Sequence, residues 1–571
     1  MIGPSAPGGV PDDEAAALLV VEDERELSPA CRLPTWLTAE PIRPSSSGTL
    51  ETATRGDIYF MKPRRRTSAR LAEPDIFDRV RLPPELDAHF RRTNPWWEGK
   101  PGRVLPPYRR WPFDVLLRKL RTGLAPAVVL RGARQVGKTT LQEQLIEHLI
   151  RSDGVEPHRI LRVQFDELPS LRDLSAPLLA ILAWFENRIL GETFNEAARN
   201  KKAAYVFLDE VQNLADWAPQ LKAIVDHHTL RVVVTGSSAL RIEAGRDSLA
   251  GRITTLEIGT LLLREIAGLR FEQGVPPLLP ANGLEPLLRQ EFWQEMIAHG
   301  RKHQIARDKS FQALSERGGY PLVHAAPDVP WPEVADQLNE NVVRRVIQHD
   351  RRLGERGRKR DPALLEEVFR LACRYAGQAP SQALLVTEIR QSLKANIGWQ
   401  RILYYLRFLD LALLIKLVAP LELRLKKRKG NSKLCILDLG LRAAWLEEIV
   451  PLAPADLAAA PQLSDLAGHL AESLVGAYLA GIPHLDLAHF PERATEPEID
   501  FVLTIGEKRI PLEVKYRRRI DPHRDTVGLR SFLERTHYNA PFGVLVTMGD
   551  DVAIPDPRIV SVSLSSLLLA R

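Results

Sequence analysis

Apolar positions along this chain change their spacing several times, and each change marks a different kind of element. Residues 1 to about 75 keep no sustained period. They run from an acidic stretch, Asp12 to Glu26, to a basic one, Lys62 to Arg70, among Pro, Ser, Thr and Gly, which predicts a mostly disordered extension over 1–90. Three short unbroken apolar runs follow, at Ala127 to Leu130, Tyr205 to Leu208 and Val232 to Val234. Each is too short for a helix and reads as a strand buried on both faces of a parallel sheet. Leu141 to Ile150 has a helical period. Residues 266–350 are helical in pattern, with breaks at Gly274 to Gly283 and at Gly318-Gly319-Tyr320-Pro321. Ala363 to Ala376 is amphipathic, Thr387 to Ala395 is a short helix with Thr387 as its N-cap, and Gly398 to Ile415 places Leu403, Leu406, Leu409 and Leu413 on one face. Strand-like runs occupy Ile415 to Leu425 and Lys433 to Leu437. The last clear pattern is a helix over Leu470 to Leu479, then a period of two over Pro497 to Ile505 that returns over Lys508 to Lys515.

Composition narrows the class. A length of 571 residues with 44% hydrophobic content supports three to four globular domains. The most apolar long stretch, Phe408 to Leu423, contains Asp410, Lys416 and Glu422, so no membrane span and no membrane partner is expected. The N-terminus lacks the basic-then-apolar order of a secretory leader. Cys31, Cys373 and Cys435 are far apart and form no C-x-x-C pair, which argues against a zinc site or a disulfide framework. A cytoplasmic location is expected. The net charge of +6 is modest, so its distribution matters more than its size.

Chemistry concentrates first at the end of the Ala127 run. Gly132, Ala133, Arg134, Gln135, Val136, Gly137, Lys138 and Thr139 spell G-x-x-x-x-G-K-[ST], between a strand and a helix, with Thr140 next. That context makes the string a phosphate loop. Backbone N–H groups and the helix N-terminus favour negative charge, Lys138 reaches the β- and γ-phosphates of ATP, and Thr139 holds Mg²⁺. The second run ends in Asp209 and Glu210, at the strand end where open α/β sheets place ligands. Asp209 is the expected metal-orienting acid and Glu210 the residue that polarises the attacking water. The third run ends in Ser237 and Ser238. In ring-forming ATPases such a strand lies between the other two and senses the γ-phosphate, with Ser237 the candidate here. Arg252, in Ser248-Leu249-Ala250-Gly251-Arg252, is a candidate arginine finger acting on a neighbour's nucleotide, with Arg246 a weaker one. It carries an expectation of a homo-oligomer.

The chain resembles the prokaryotic AAA-type ATPases that carry a C-terminal domain of unknown function. The marks are GARQVGKTTL, FLDEVQN, VVVTGSS, SLAGR, RGGYP, KLCILDLGLR, EIDFVL and LEVKYR. The resemblance begins near Asn94-Pro95-Trp96-Trp97 and leaves the first ~90 residues outside. It implies an α/β P-loop ATPase core with a parallel sheet at 91–265 and a helical lid at 266–350. It also implies that the connector Asn94 to Pro112 packs near the adenine.

Two further constellations complete the reading. Three helices followed by two strands, over 351–450, predict a winged-helix domain. Its turn carries Arg424, Lys426, Lys427, Arg428, Lys429 and Lys433 and no acid, which suits phosphate contacts with DNA. In 460–571, a two-residue loop at Gly506-Glu507 sets Asp500 opposite Glu513, with Lys515 on the same face. With Glu472 on the preceding helix, this resembles the PD-(D/E)XK nuclease pattern. The pattern implies an α/β nuclease-like domain in which Glu472, Asp500 and Glu513 hold Mg²⁺ and Lys515 positions the water. The predicted protein is therefore a Mg²⁺-dependent ATP hydrolase acting on DNA, in repair, recombination or defence, with nuclease activity left open. The rival reading is a slow ATP-binding regulatory switch whose C-terminal domain binds protein partners.

Overall fold

The computed structural model describes residues 82–571 except 167–170, 172–173, 215, 237–248, 281–282, 350–360, 423–429 and 493–495. These residues belong to the unit Ala72–Arg571. The N-terminal basic run, Ser237, Ser238, Arg246 and the basic turn 424–429 lie outside the described residues.

The predicted strands form, and each runs slightly beyond its apolar core. β1 (Ala127–Gly132), β2 (Ile160–Gln164), β3 (Tyr205–Asp209), β4 (Arg231–Gly236) and β5 (Ile253–Ile258) make a parallel sheet in the order β2-β3-β4-β1-β5. The third apolar run thus lies between the phosphate-loop strand and the acid-bearing strand. Unbroken apolar runs are needed because both faces are covered. Val128, Leu130, Phe207 and Val233 enter one core, while Val129, Val206, Leu208, Val232 and Val234 enter the other. Helices Pro112–Thr122 and Lys138–Arg151 cover the first face, and helices Pro84–Thr93, Pro177–Phe185 and Trp217–His227 the second.

The expected start of order at residue 91 is corrected by the helix Pro84–Thr93. Leu86 and Phe90 are buried, and the Phe90 ring packs tilted against Trp184, centroids 5.3 Å apart. Burying two such side chains is worth about 3–6 kcal/mol, enough to hold a three-turn helix that has no side-chain cap.

The helical region after β5 comprises helices Leu263–Phe271, Gln290–Lys302, Gln304–Arg317, Pro321–Ala325 and Trp331–Leu338, with the break after Phe271 where glycines predicted it. Helices Pro362–Arg374, Gln382–Leu393 and Trp399–Leu411 follow. The second of these starts earlier than predicted. Ser381, not Thr387, caps it, accepting from the Leu384 N–H at 3.1 Å, and Thr387 lies mid-helix.

The second sheet differs most from expectation. β6 (Ile415–Pro420) and β7 (Lys433–Ile436) pair antiparallel as a hairpin. β8 (Asp486–Phe490), β9 (Ile499–Ile505), β10 (Lys508–Lys515), β11 (Gly543–Thr547) and β12 (Ile559–Ser563) follow. All seven form one sheet, ordered β12-β11-β10-β9-β8-β6-β7. The join is β6 with β8, where Ala419 pairs Ala488 and Pro420 pairs His489. The hairpin is thus continuous with the C-terminal sheet. The predicted register of β9 and β10 holds: Ile505 pairs Lys508 and Phe501 pairs Leu512 across Gly506-Glu507. Gly506 takes φ 60°, the left-handed value that such a loop needs.

Candidate functional site

β1 delivers the phosphate loop. Gly132 is required by packing, since a Cβ there would stand 2.6 Å from the Ile258 carbonyl oxygen on β5. Gly137, at φ 90°, turns the chain into the helix Lys138–Arg151, whose first N–H groups receive no side-chain cap. Uncapped N–H groups after a glycine turn are a ready anion site. Lys138 is buried and donates from Nζ to the Gly132 and Ala133 carbonyls at 2.9 and 2.8 Å. Burial pulls its pKa down, against the opposing pull of Glu210 and Asp209. Its ammonium rests on two neutral acceptors that a phosphate can replace.

The acid on β3 arrives where the loop needs it. The Thr139 hydroxyl donates to Asp209 Oδ2 at 3.0 Å. This adjacent hydroxyl and carboxylate fit the oxygen-only demands of Mg²⁺. Glu210, half-buried at φ 51°, follows directly and accepts from Gln212. Three residues that sequence reasoning missed complete the site. Thr235 on β4, fully buried, donates its hydroxyl to Asp209 and accepts from the Glu210 N–H at 3.3 Å. Arg162 on β2 stands 3.3 Å from Asp209 Oδ2 and 3.3 Å from Glu143 Oε1. Arg110 is a buried hub: its guanidinium donates to Val136 O in the loop at 2.7 Å, to Gly259 O and Thr260 O after β5, and to both oxygens of buried Glu265. A hydroxyl at the end of the third apolar run was a usable signal for Thr235. Arg110, one of three arginines in a Trp- and Pro-rich connector, gave none.

The connector itself is pinned along the phosphate-loop helix and at the start of β2. Trp96 and Trp97 donate their indole N–H groups to Ile160 O at 3.1 and 2.8 Å, and Gln144 donates to Pro106 O and Tyr108 O. Between connector and phosphate-loop helix lies a cavity of about 790 Å³, lined by Trp96, Pro101, Arg103, Glu143 and Arg162. Arg252 lies at the opposite end of the sheet. Its carbonyl accepts from the N–H of Ala127, where β1 begins, and its side chain pairs with Asp226 at 3.0 Å. The length of β1, about 20 Å for six residues, separates it from its own loop.

Two of the sequence marks meet in space. Gly319 N donates to Asp438 Oδ2 at 2.6 Å, and a Cβ at Gly318 would stand 2.4 Å from Gly440 N. Gly319 O in turn accepts from Leu261 N at 2.7 Å, just past β5. RGGYP and LDLGLR therefore serve as one buried fastening. Burial pushes the Asp438 carboxyl up to about 6 against three backbone hydrogen bonds. Arg317 donates to Val329 O at 3.0 Å, a local structural bond.

In the C-terminal domain the predicted residues do come together, with one addition. Asp500 Oδ2 accepts from Val514 N at 2.8 Å, and Lys515 Nζ pairs with Glu513. Glu472, on helix Ser464–Ala480, points into the same group. Lys433 is there too, which corrects its expected place on an exposed basic turn. It is 1% exposed, with Nζ 3.0 Å from Asp500 Oδ1, 3.4 Å from Glu498 Oε1 and in contact with Glu472. The position expected for Mg²⁺ among Glu472 and Asp500 is filled by this ammonium, so the residues present do not fit a metal there. Among the described residues no three His, Cys, Asp or Glu side chains are arranged to hold an ion. Burial would raise Asp500, but Lys433 holds it down at about 2. Burial and neighbouring Asp500 push Glu513 up to about 8. Arg517, Arg518 and Arg519 are exposed just beyond β10.

Comparison with known proteins supports the core. Residues 125–267 match the family described as the AAA domain. Residues 308–449 and 467–566 match two families described only as domains of unknown function, DUF8612 and DUF4143. The chain is 32% identical over 161 residues to an uncharacterized protein of Methanocaldococcus jannaschii, a match covering 28% of this chain and 32% of that one. It is 22% identical over 320 residues to an uncharacterized protein of Haemophilus influenzae, covering 55% and 68% respectively. Among solved structures, the Walker-type ATPase of Pyrococcus abyssi is similar at 15% identity and TM-score 0.33, over 60% of this chain and 99% of that one. Among the described residues no helix is long and apolar enough to cross a membrane.

Proposed function

We propose that the AAA-type ATPase domain binds ATP with Mg²⁺, hydrolyses it, and uses the turnover to act on DNA through the segments that follow it. The observation that carries the ATP half is the 3.0 Å contact between Thr139 and Asp209 beside a lysine held on replaceable carbonyls. Lys138 exchanges those carbonyls for phosphate oxygens, and the uncapped N–H groups after Gly137 take the rest of the negative charge. Bound Mg²⁺ supplies charge neutralisation at the phosphates. Thr235 and Arg162 hold Asp209 in place, and Glu210 orients the attacking water. The connector, whose Arg110 donates to Val136 O in the loop, packs near the base. Arg252, a sheet-length from its own loop, acts in trans if it acts on nucleotide, within a homo-oligomer.

The DNA half is supported by charge. The sequence from Arg424 to Lys429 is one-signed, and Arg517 to Arg519 are exposed beside the C-terminal cluster. Three helices and the β6–β7 hairpin, in that order, suit a winged helix. The test is ATP turnover with and without single-stranded, duplex and branched DNA at two salt concentrations. Stimulation by one form, weakened by salt, is expected. Turnover indifferent to every DNA would instead favour the regulatory switch, with protein partners.

A further inference from the structure

We propose that Lys433 is the resident cation of the C-terminal carboxylate cluster, so that this domain closes Glu472, Glu498 and Asp500 on an ammonium instead of a divalent metal and engages DNA without cutting it. The clause about DNA rests on the function proposed above; the clause about the cation stands without it.

The geometry carries the assignment. Glu472 comes from a helix, Asp500 from β9 and Glu498 from the residue before that strand, and all three converge on one Nζ. An ammonium has three donors and no acceptor: Glu472 and Asp500 each take one, and Glu498 adds an ion-pair contact at 3.4 Å. The Phe501 ring, 5.3 Å away, covers another side. Mg²⁺ would need near-octahedral oxygens and several retained waters in the same space. The lysine cannot easily withdraw, because the backbone on either side is tied down. Asn431 O bonds His489 Nε2 at 2.8 Å, Leu434 exchanges bonds with Gly377 and Gln378, and Ile436 N donates to Ser473 Oγ at 2.8 Å. Removing Nζ would strip Glu472 and Asp500 of the cation they touch, a situation that a divalent cation relieves. Lys433 therefore acts as a strut as well, fixing the hairpin to the helix and β9.

The test is titration of the full chain with Mn²⁺, free ion followed by electron paramagnetic resonance, without nucleotide. The wild type and Asp500→Asn should bind Mn²⁺ alike. Lys433→Gln and Lys433→Met should each gain one site per chain, at least about tenfold tighter than any surface binding, and Lys433→Gln/Asp500→Asn should lose it. A wild-type Mn²⁺ site that disappears in Asp500→Asn would overturn the proposal, as would Mn²⁺-dependent cleavage of plasmid DNA that requires Asp500. So would folded Lys433 variants that gain no site. Should those variants fail to fold, the wild type against Asp500→Asn still decides. Basal ATP turnover, expected to persist in Lys433→Gln, separates failure here from failure of the ATPase reading.

Discussion

Among the described residues two lysines are buried beside acids, and they do opposite things. Lys138 rests on two backbone carbonyls, with its pKa pulled down and the acids Asp209 and Glu210 nearby but bonded elsewhere. Lys433 rests on three carboxylates, with its pKa pushed well above the ordinary value by Asp500, Glu472 and Glu498 against the cost of burial. A lysine on neutral acceptors can be drawn away by an arriving anion at little cost. A lysine that neutralises buried acids cannot leave without stranding them. Burial and proximity to acids do not distinguish a ligand-binding lysine from a structural one; the charge of the atoms it already touches does.

The largest expected effect sets these two against each other. Lys138→Ala should lower ATP turnover by about 10²-fold or more while leaving the unfolding midpoint nearly unchanged. Lys433→Met should keep basal turnover but lose about 3–5 kcal/mol of stability in denaturant titration. Equal stability losses in the two variants would erase the distinction. Arg110→Ala should behave like the second lysine, since it leaves Glu265 buried and unpaired, costing about 3–5 kcal/mol by the same titration. It should also weaken ATP binding because Val136 O loses its donor.

Thr235→Val should slow turnover about tenfold, read by steady-state kinetics with Mg²⁺ saturating, because Asp209 loses an orienting hydroxyl. The pH dependence sharpens the C-terminal side. Glu513 has a folded pKa of about 8, above its ordinary 4.5, so the folded state keeps a proton that the unfolded state releases. Its contribution is full below about 4.5 and is lost as pH rises through about 8. Glu513→Gln should flatten the fall in melting temperature between those values. The smallest effect belongs to Arg252→Ala. Melting should be unchanged, and turnover should drop only at protein concentrations where chains associate.

Much of the candidate phosphate-loop site was legible because it is local. Gly132 to Thr139 lie on consecutive residues, and an unbroken apolar run leads to Asp209. The β9–β10 register was legible for a similar reason, since a two-residue loop fixes every pair in the hairpin. Lys433 was not, because a count of charges along a turn cannot say which cation folds inward. Its partners are 39 and 67 residues away in sequence. Thr387 was mistaken for a cap because Ser381, one residue after Pro380, lay ahead of the apolar pattern. Leu86 and Phe90 were missed because they are too few to show a period.

The pairing of β6 with both β7 and β8 bears on how such chains can be inherited. A segment that shares backbone hydrogen bonds with two neighbours cannot be exchanged for another without leaving an open sheet edge on whichever part stays behind. Recombination between the hairpin and the C-terminal strands would give two sticky halves. The three helices, the hairpin and the final sheet are thus expected to travel together as a single heritable block.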